Sequence, residues 1–321
     1  MMKEIIRFLN EHDRFLLISH ISPDGDTLGS AAALALALRD MGKQVTLAVD
    51  GTVSHRLRIF EEFVHFYNFD TKPEEEYDGI VSLDCGDLGR LGKFERLFSA
   101  HECTAVIDHH PTNPAYGKIN WIKPVAATTM MVLEILLEMQ CEITKPIADC
   151  LYVGLSTDTG NFCFSNVDGG VFETARVLAD AGAEIVRICD MLYEQNTLGA
   201  TRIQGRAIDS LEMLMEGRIA IVTIELDDID AAGAVVQDCS GIVDIPRRIE
   251  GTELAIFFRQ TTGGKYKVSM RSHNYVDCAA IAAKFGGGGH VRAAGATMQG
   301  SIDEIRAAVI PAACAAVEAG V

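Results

Sequence analysis

Four stretches of the chain place acids and histidines at the ends of short ordered-looking segments. In "RFLLISHISPDGDTLGS" an apolar run is followed by His20, Asp24 and Asp26. "GIVSLDCGD" ends in Asp84 and Asp87, "AVIDHHPTN" runs into Asp108, His109 and His110, and "LSTDTGNF" carries Asp158 after a helical stretch. Carboxylate oxygen and imidazole nitrogen together suit Mn, Fe, Zn or Mg. Asp24 and Asp26 flank Gly25, whose missing side chain permits a tight turn. Alternate carboxylates on such a turn can reach two neighbouring ions. A carboxylate such as Asp84 can bridge ions about 3.5–4 Å apart, the arrangement used for phosphate displacement. Cys85 and Cys163 lie next to these site residues in sequence, but a thiolate-poor pattern without CxxC argues against structural zinc. Asp87 alone reads as a turn or helix cap, and His12, His55, His65 and His101 as surface or packing histidines.

For residues so far apart to act together, the elements carrying them must converge. Apolar runs at 14–19, 44–49, 79–84 and 103–107 alternate with helical patterns at 27–41 and 88–100. That grammar predicts an α/β fold: a mainly parallel sheet with helices on both faces. Ligands of such sheets bind outside the carboxyl ends of the strands, where the acids and histidines stand. Helices dominate from 126 to 160, "FCFSN" reads as a short extended piece, and helices resume from about 169 to 215. From 218 the strands "RIAIVTIE", "LAIFFRQ" and "KYKVSMRS" alternate with helical segments near 229–248 and 277–285. "TTGG" at 261–264 looks like a hairpin turn. The prediction is a domain over 1–190, a helical linker over 191–210 and a smaller α/β domain over 211–321.

The C-terminal "AAIAAKFGGGGHVRAAGA" reads as a helix ending at a glycine loop, then a second small-residue segment; a helix start beyond the glycines would add a favourable dipole. Backbone N–H groups of such a loop can turn toward an anion. His290 and Arg292 follow it and Arg271 and Ser272 precede it, and Arg suits bidentate phosphate binding. No GxGxxG follows a strand and no GxxxxGK[ST] occurs.

Composition bounds the partners. Of 321 residues, 48% are hydrophobic and 23% charged, as in a soluble globular protein. "AAALALALRDMG" is too short to span a membrane, and the acidic amphipathic start is no signal peptide. The nine cysteines then read as free thiols of a cytoplasmic protein. Net charge is −17; residues 1–199 hold 16 basic and 30 acidic residues, and 200–321 hold 12 and 15. So acidic a chain should bind long nucleic acid poorly. Short phosphorylated ligands would need a local basic pocket, and bound cations could offset the N-terminal acid.

In their order and spacing, "HISPDGDTLGS", "LDCGD", "DHH" and "TDTGNF" resemble the four N-terminal motifs of the DHH phosphoesterase superfamily. "GGGGHVRAAG" is similar to the signature of the DHH-associated C-terminal domain. The layout looks most like the short stand-alone branch, which degrades nanoRNA and often dephosphorylates 3′-phosphoadenosine 5′-phosphate (pAp). The resemblance implies an active site in the cleft between the domains. It implies a first metal on His20 and Asp24, a second on Asp26, His109 and Asp158, and Asp84 bridging them. Mn²⁺ is the family's common ion, with Mg²⁺, Fe²⁺ and Co²⁺ as alternatives. His110 would touch the scissile phosphate, and Asp108 would support the histidines. Two ions would lower the pKa of a shared water for in-line attack on phosphorus. In the C-terminal domain, Arg271, Ser272, Gly288, Gly289 and His290 would bind the substrate's terminal phosphate and nucleotide. The expected substrates are nanoRNA, pApA or pAp. The alternatives are a cyclic-dinucleotide phosphodiesterase and, in a different class, a nucleotide sensor without catalysis. Manganese pyrophosphatases share the N-terminal motifs but lack the glycine–histidine signature. No long duplex nucleic acid and no membrane are expected as partners, and a homodimer would be common for such a fold.

Overall fold

The runs "RFLLIS", "QVTLAV", "GIVSL" and "TAVID" are buried along most of their length, as strands covered on both faces are. The computed structural model describes residues 1–73 and 75–320. By its contacts the chain divides into two units, Met1–Gln195 and Asn196 onward.

Unit 1 contains α1 (Met2–Glu11), β1 (Arg14–Ser19), α2 (Gly25–Asp40), β2 (Gln44–Val49), β3 (Phe66–Tyr67) and β4 (Gly79–Leu83). There follow α3 (Glu95–Ala100), β5 (Thr104–Asp108), β6 (Ile119–Ile122), α4 (Thr128–Glu138), α5 (Lys145–Asp158), α6 (Gly169–Asp180) and α7 (Ile185–Cys189). The six strands form one sheet in the order β3-β2-β1-β4-β5-β6, every pair parallel. Alternate residues face opposite layers. Phe15, Leu17, Val81, Leu83, Ala105 and Ile107 pack with α2, α4 and α5. Leu16, Ile18, Ile80 and Val106 pack against Leu91, Phe94 and Phe98 on the other side. "FCFSN" is a turn, not an extended piece: Asn161 and Phe162 adopt φ of 53° and 63°, which strand pairing does not permit.

α2 is buried all round, from Gly25 to Leu38 apart from Leu36, which its small residues allow. Asp24 caps it, accepting from the backbone N–H of Asp26 and Thr27 at 3.1 Å each. α2 lies against α5 closely enough that a Cβ at Gly29 would sit 2.4 Å from the Cys150 carbonyl oxygen. A Cβ at Gly154 would sit 2.9 Å from Asp26 Oδ1. Gly29→Ala is therefore expected to force the two helices apart and cost about 1–3 kcal/mol. Thermal denaturation checks this, and an unchanged Tm would refute the tight contact.

Unit 2 begins with α8 (Leu198–Asp209), then β7 (Glu212–Leu214), β8 (Ile219–Ile224), α9 (Leu226–Ala232), α10 (Asp244–Arg247), β9 (Leu254–Thr261) and β10 (Lys265–Ser272). It ends with α11 (Cys278–Ala283), β11 (Gly288–His290), β12 (Ala293–Gln299) and α12 (Ile302–Ala319). The sheet order is β11-β12-β10-β9-β8-β7, with β8 and β9 the only parallel pair. One face packs on α11 and α12. The other is covered over β8 and β9 by α8 and α9, where Ile203 and Ala207 meet Val222, Ile224 and Phe257. The stretch 191–210, expected as a linker, is thus split: α8 belongs to the core of unit 2 because its apolar stripe is buried there. Gly263 and Gly264 turn the β9–β10 hairpin at φ of 76° and 69°.

The glycine run departs from expectation. No helix starts beyond it; β11 and β12 form an antiparallel hairpin pairing Gly288 with Gly295 and His290 with Ala293. The glycines serve close approach. A Cβ at Gly287 would lie 2.2 Å from the Gly295 carbonyl oxygen, and one at Gly289 2.5 Å from that of Ala293.

Candidate metal centre

The chain winds from β1 outward through β2 and β3, then returns to β4 and continues to β5 and β6 on the other side. The reversal leaves a crevice beyond the carboxyl ends of β1 and β4, the usual ligand position in an open parallel sheet. His20 follows β1, Asp84 follows β4, and Asp108 ends β5 with His109 and His110 behind it. The first turn of α2 delivers Asp24 and Asp26, and the last residue of α5 is Asp158. All eight predicted residues of unit 1 converge.

Asp84 lies at the middle. Its Oδ2 is 3.7 Å from His20 Nε2, which is itself 3.4 Å from Asp24 Oδ2. Its Oδ1 is 3.4 Å from His109 Nε2, which is 3.3 Å from Asp158 Oδ2. Three overlapping groups result among the described residues, His20–Asp24–Asp84, Asp26–His109–Asp158 and Asp84–His109–His110, each with ligand atoms within 4.8 Å of one another. Asp84 holds a left-handed φ of 59°, which a short polar side chain tolerates, and accepts a hydrogen bond from Thr128 Oγ1 at 3.0 Å.

The imidazoles are oriented for ligation. His20 Nδ1 lies 2.7 Å from the Ile21 carbonyl oxygen and His109 Nδ1 3.0 Å from that of Val125. A carbonyl only accepts, so each Nδ1 carries a proton and each Nε2 is left facing the acids, where it could ligate an ion, the usual support of metal-bound histidine. The Asp26 oxygens accept from the backbone N–H of Thr128 and Thr129 at 2.6 and 2.9 Å, at the start of α4. His110 is turned differently, with Nδ1 2.7 Å from Asp108 Oδ1. The other Asp108 oxygen accepts from Asn113 Nδ2 at 2.6 Å. Asp108 is thus committed to His110 and Asn113, and supports that one histidine of the two.

The electrostatics test whether cations fit. Burial, then the neighbouring carboxylates, raise the Asp84 and Asp158 acids well above the ordinary range. Burial likewise raises Asp26. Asp24 is lowered to about 2: burial opposes its charge, but hydrogen bonding and charge from His20 prevail. Carboxylates crowded out of water repel one another, and divalent cations would relieve that repulsion. The donor set fits such ions. Burial pushes the Cys85 thiol up to about 12, so it offers no thiolate. All nine cysteines are free.

Outside the centre, Asp87 caps a turn by accepting from Arg90 N, and His101 bonds the Cys103 and Tyr77 carbonyls. The side chain of His55 lies outside the described residues. No helix among the described residues is long and apolar enough to cross a membrane.

In unit 2, β10 alternates. Tyr266, Val268 and Met270 enter the core, so Lys267, Ser269 and Arg271 line the opposite face. Arg271 pairs with Ala293 on β12, which pairs with His290 on β11. Directly paired residues share a face, so Arg271 and His290 stand about 10 Å apart across two strand spacings. Arg259 pairs with Lys267 beside them. Burial, with Arg259 and Arg271 adding to it, lowers the Lys267 ammonium. Together they put basic residues on one face of the sheet in an otherwise acidic chain. The sequence reading missed both: the alternation in "KYKVSMRS" could have shown Lys267, whereas Arg259 emerges only from strand pairing. Ser272 is a correction: it alternates away from Arg271, is buried, and donates to the Val276 carbonyl oxygen at 2.7 Å. Gly288 and Gly289 lie in β11, and Arg292 donates to the Val276 carbonyl oxygen.

Fold and site define an α/β protein whose strand ends gather acids and histidines able to hold divalent metal ions. The sequence profile of the DHH family, N-terminal domain, matches residues 14–155, and that of the DHHA1 domain matches residues 218–318. The bifunctional oligoribonuclease and PAP phosphatase NrnA of Thermus thermophilus is 32% identical over 88% of this chain and 84% of its own. The Bacillus subtilis protein of the same name is 26% identical, with 93% of each chain covered. A solved structure of an exopolyphosphatase-related protein from Bacteroides fragilis superposes with a TM-score of 0.90 at 25% identity, covering 97% of this chain and 94% of that one. The chain belongs to the DHH family of phosphoesterases.

Proposed function

We propose that this phosphoesterase hydrolyses short oligoribonucleotides and pAp at the centre in unit 1. The observation that carries the reading is the position of Asp84, with one oxygen toward His20 and Asp24 and the other toward His109. In this reading His20, Asp24 and Asp84 hold one ion, and Asp26, Asp84, His109 and Asp158 hold a second. Two divalent ions there, Mn²⁺ in this proposal, would supply a water acidic enough to attack phosphorus near neutral pH and positive charge for the phosphoryl oxygens. His110, its Nδ1 proton held by Asp108, would act on the substrate phosphate through Nε2. Asp108 keeps that ring in one orientation and one tautomer. In unit 2, Arg271, Lys267 and His290, beside the bare backbone of Gly288 and Gly289, would grip a phosphorylated end of the ligand. The relatives from Thermus thermophilus and Bacillus subtilis carry both activities in their names and support this choice of substrates.

A site that grips one end of a ligand favours short chains. With Mn²⁺, the protein should be offered pAp, pApA, cyclic di-AMP, and RNA of two, ten and forty residues side by side. Per molecule, pApA and the two-residue RNA are expected to turn over at least about tenfold faster than forty-residue RNA, because end-binding energy is available only to a ligand of matching length. Comparable rates on two and forty residues, or faster cleavage of cyclic di-AMP than of pApA, would overturn the substrate reading.

A further inference from the structure

The loop leaving β4 passes His110 and joins the segment between His20 and Asp24, and it carries Arg90. Gly86 packs on the His110 ring, where an added Cβ would lie 3.3 Å from Cγ. Asp87 caps the next turn, and the Arg90 carbonyl oxygen accepts from Ile21 N at 2.8 Å. That bond ties the Arg90 backbone to the segment between His20 and Asp24. Gly92 tightens the same join: a Cβ there would lie 2.7 Å from Ile21 Cγ2. Arg90 Nε is buried without a hydrogen-bond partner among the described residues.

An unsatisfied buried donor costs about 1–3 kcal/mol, and few buried polar atoms are left so. A guanidinium serving only to neutralise Asp24 would be expected to close an ion pair with it. Arg90 instead keeps an unpartnered Nε–H on the loop that joins the His110 ring to the segment between His20 and Asp24, a neighbourhood that cations would make attractive to anions. Its planar fork matches phosphate oxygens. We propose that Arg90 binds a nonbridging oxygen of the substrate phosphate on the Asp24 side of the centre. The proposal rests on the phosphoester reading above and adds a phosphate-binding residue from unit 1 itself.

The test compares the Mn²⁺-loaded wild-type chain with Arg90→Met and Arg90→Lys. Steady-state hydrolysis of pApA, inhibition by inorganic phosphate, bound Mn²⁺ per chain and Tm are read for each. Arg90→Met should lose about 10²–10³-fold in kcat/KM, as removal of one transition-state donor does. Its inhibition by phosphate should weaken by about tenfold, while bound Mn²⁺ stays at the wild-type value and Tm does not fall, since the unsatisfied donor is gone. Arg90→Lys keeps the charge without the fork and should fall between. Wild-type kinetics in Arg90→Met would overturn the proposal, as would loss of activity together with loss of Mn²⁺, since Arg90 would then serve Asp24. Should Arg90→Met not fold, undiminished phosphate inhibition in Arg90→Lys overturns it equally. A wild-type chain inert toward both pApA and pAp would overturn the phosphoester reading and this proposal with it.

Discussion

Asp84→Asn is expected to abolish hydrolysis of pAp and pApA, with kcat/KM falling by at least about 10³-fold. The change keeps the shape of the side chain and removes the charge that faces both ligand groups. An amide presents only one good acceptor, so it cannot serve His20 and Asp24 on one side and His109 on the other. The loss should exceed that of an oxyanion-hole donor, at about 10²–10³-fold, because attacking water and charge neutralisation fail together. Steady-state assays at saturating Mn²⁺ check the size of the effect. Circular dichroism matching the wild type would show that the fold survives. Activity within tenfold of the wild type would refute the bridging role.

The same substitution is expected to stabilise the chelated protein. Asp84 and Asp158 are raised by burial and by each other's neighbourhood of acids. A raised carboxyl favours the fold while protonated. Its contribution is complete below the unfolded carboxylate value, about 3.9, and is lost as pH climbs through the raised folded value. In EDTA at pH 8 both groups therefore work against folding. Asp84→Asn removes one buried charge, and the gain should be roughly 1–4 kcal/mol, the range seen when buried ionic groups are replaced. Its Tm in EDTA should exceed that of the wild type by several degrees at pH 8, and the gap should shrink toward pH 5. Mn²⁺ should reverse the order, because ligand binding adds about 2.7 kcal/mol at a hundredfold excess over Kd, and the variant responds less. A lower Tm for Asp84→Asn in EDTA would show that Asp84 holds the fold together without metal. Stability surrendered for a charged site is a familiar trade in enzymes.

The candidate ligands of the centre were legible because each stands at the end of a strand or helix that announces itself. β1 and β2 fall on apolar runs that double burial makes continuous. β3, with two residues, and β6, "INWI" with a polar residue inside, have no such pattern. The supports of the site were not legible, because they join residues far apart in sequence. Thr128 and Thr129 hold Asp26 across more than a hundred residues, and Arg90 meets Ile21 only through the fold. The glycine run was misread for another reason. A strand is recognised by alternating side chains, and β11 and β12 are built largely from Gly and Ala, which show no alternation. Ser272 was carried over with Arg271 from the family resemblance, while the strand period of two turns it to the other face.

Anomalous diffraction from crystals soaked in Mn²⁺ tests the central claim most directly. Two peaks are predicted on either side of Asp84, one among His20, Asp24 and Asp84, the other among Asp26, Asp84, His109 and Asp158. A single peak, or peaks away from Asp84, would contradict it.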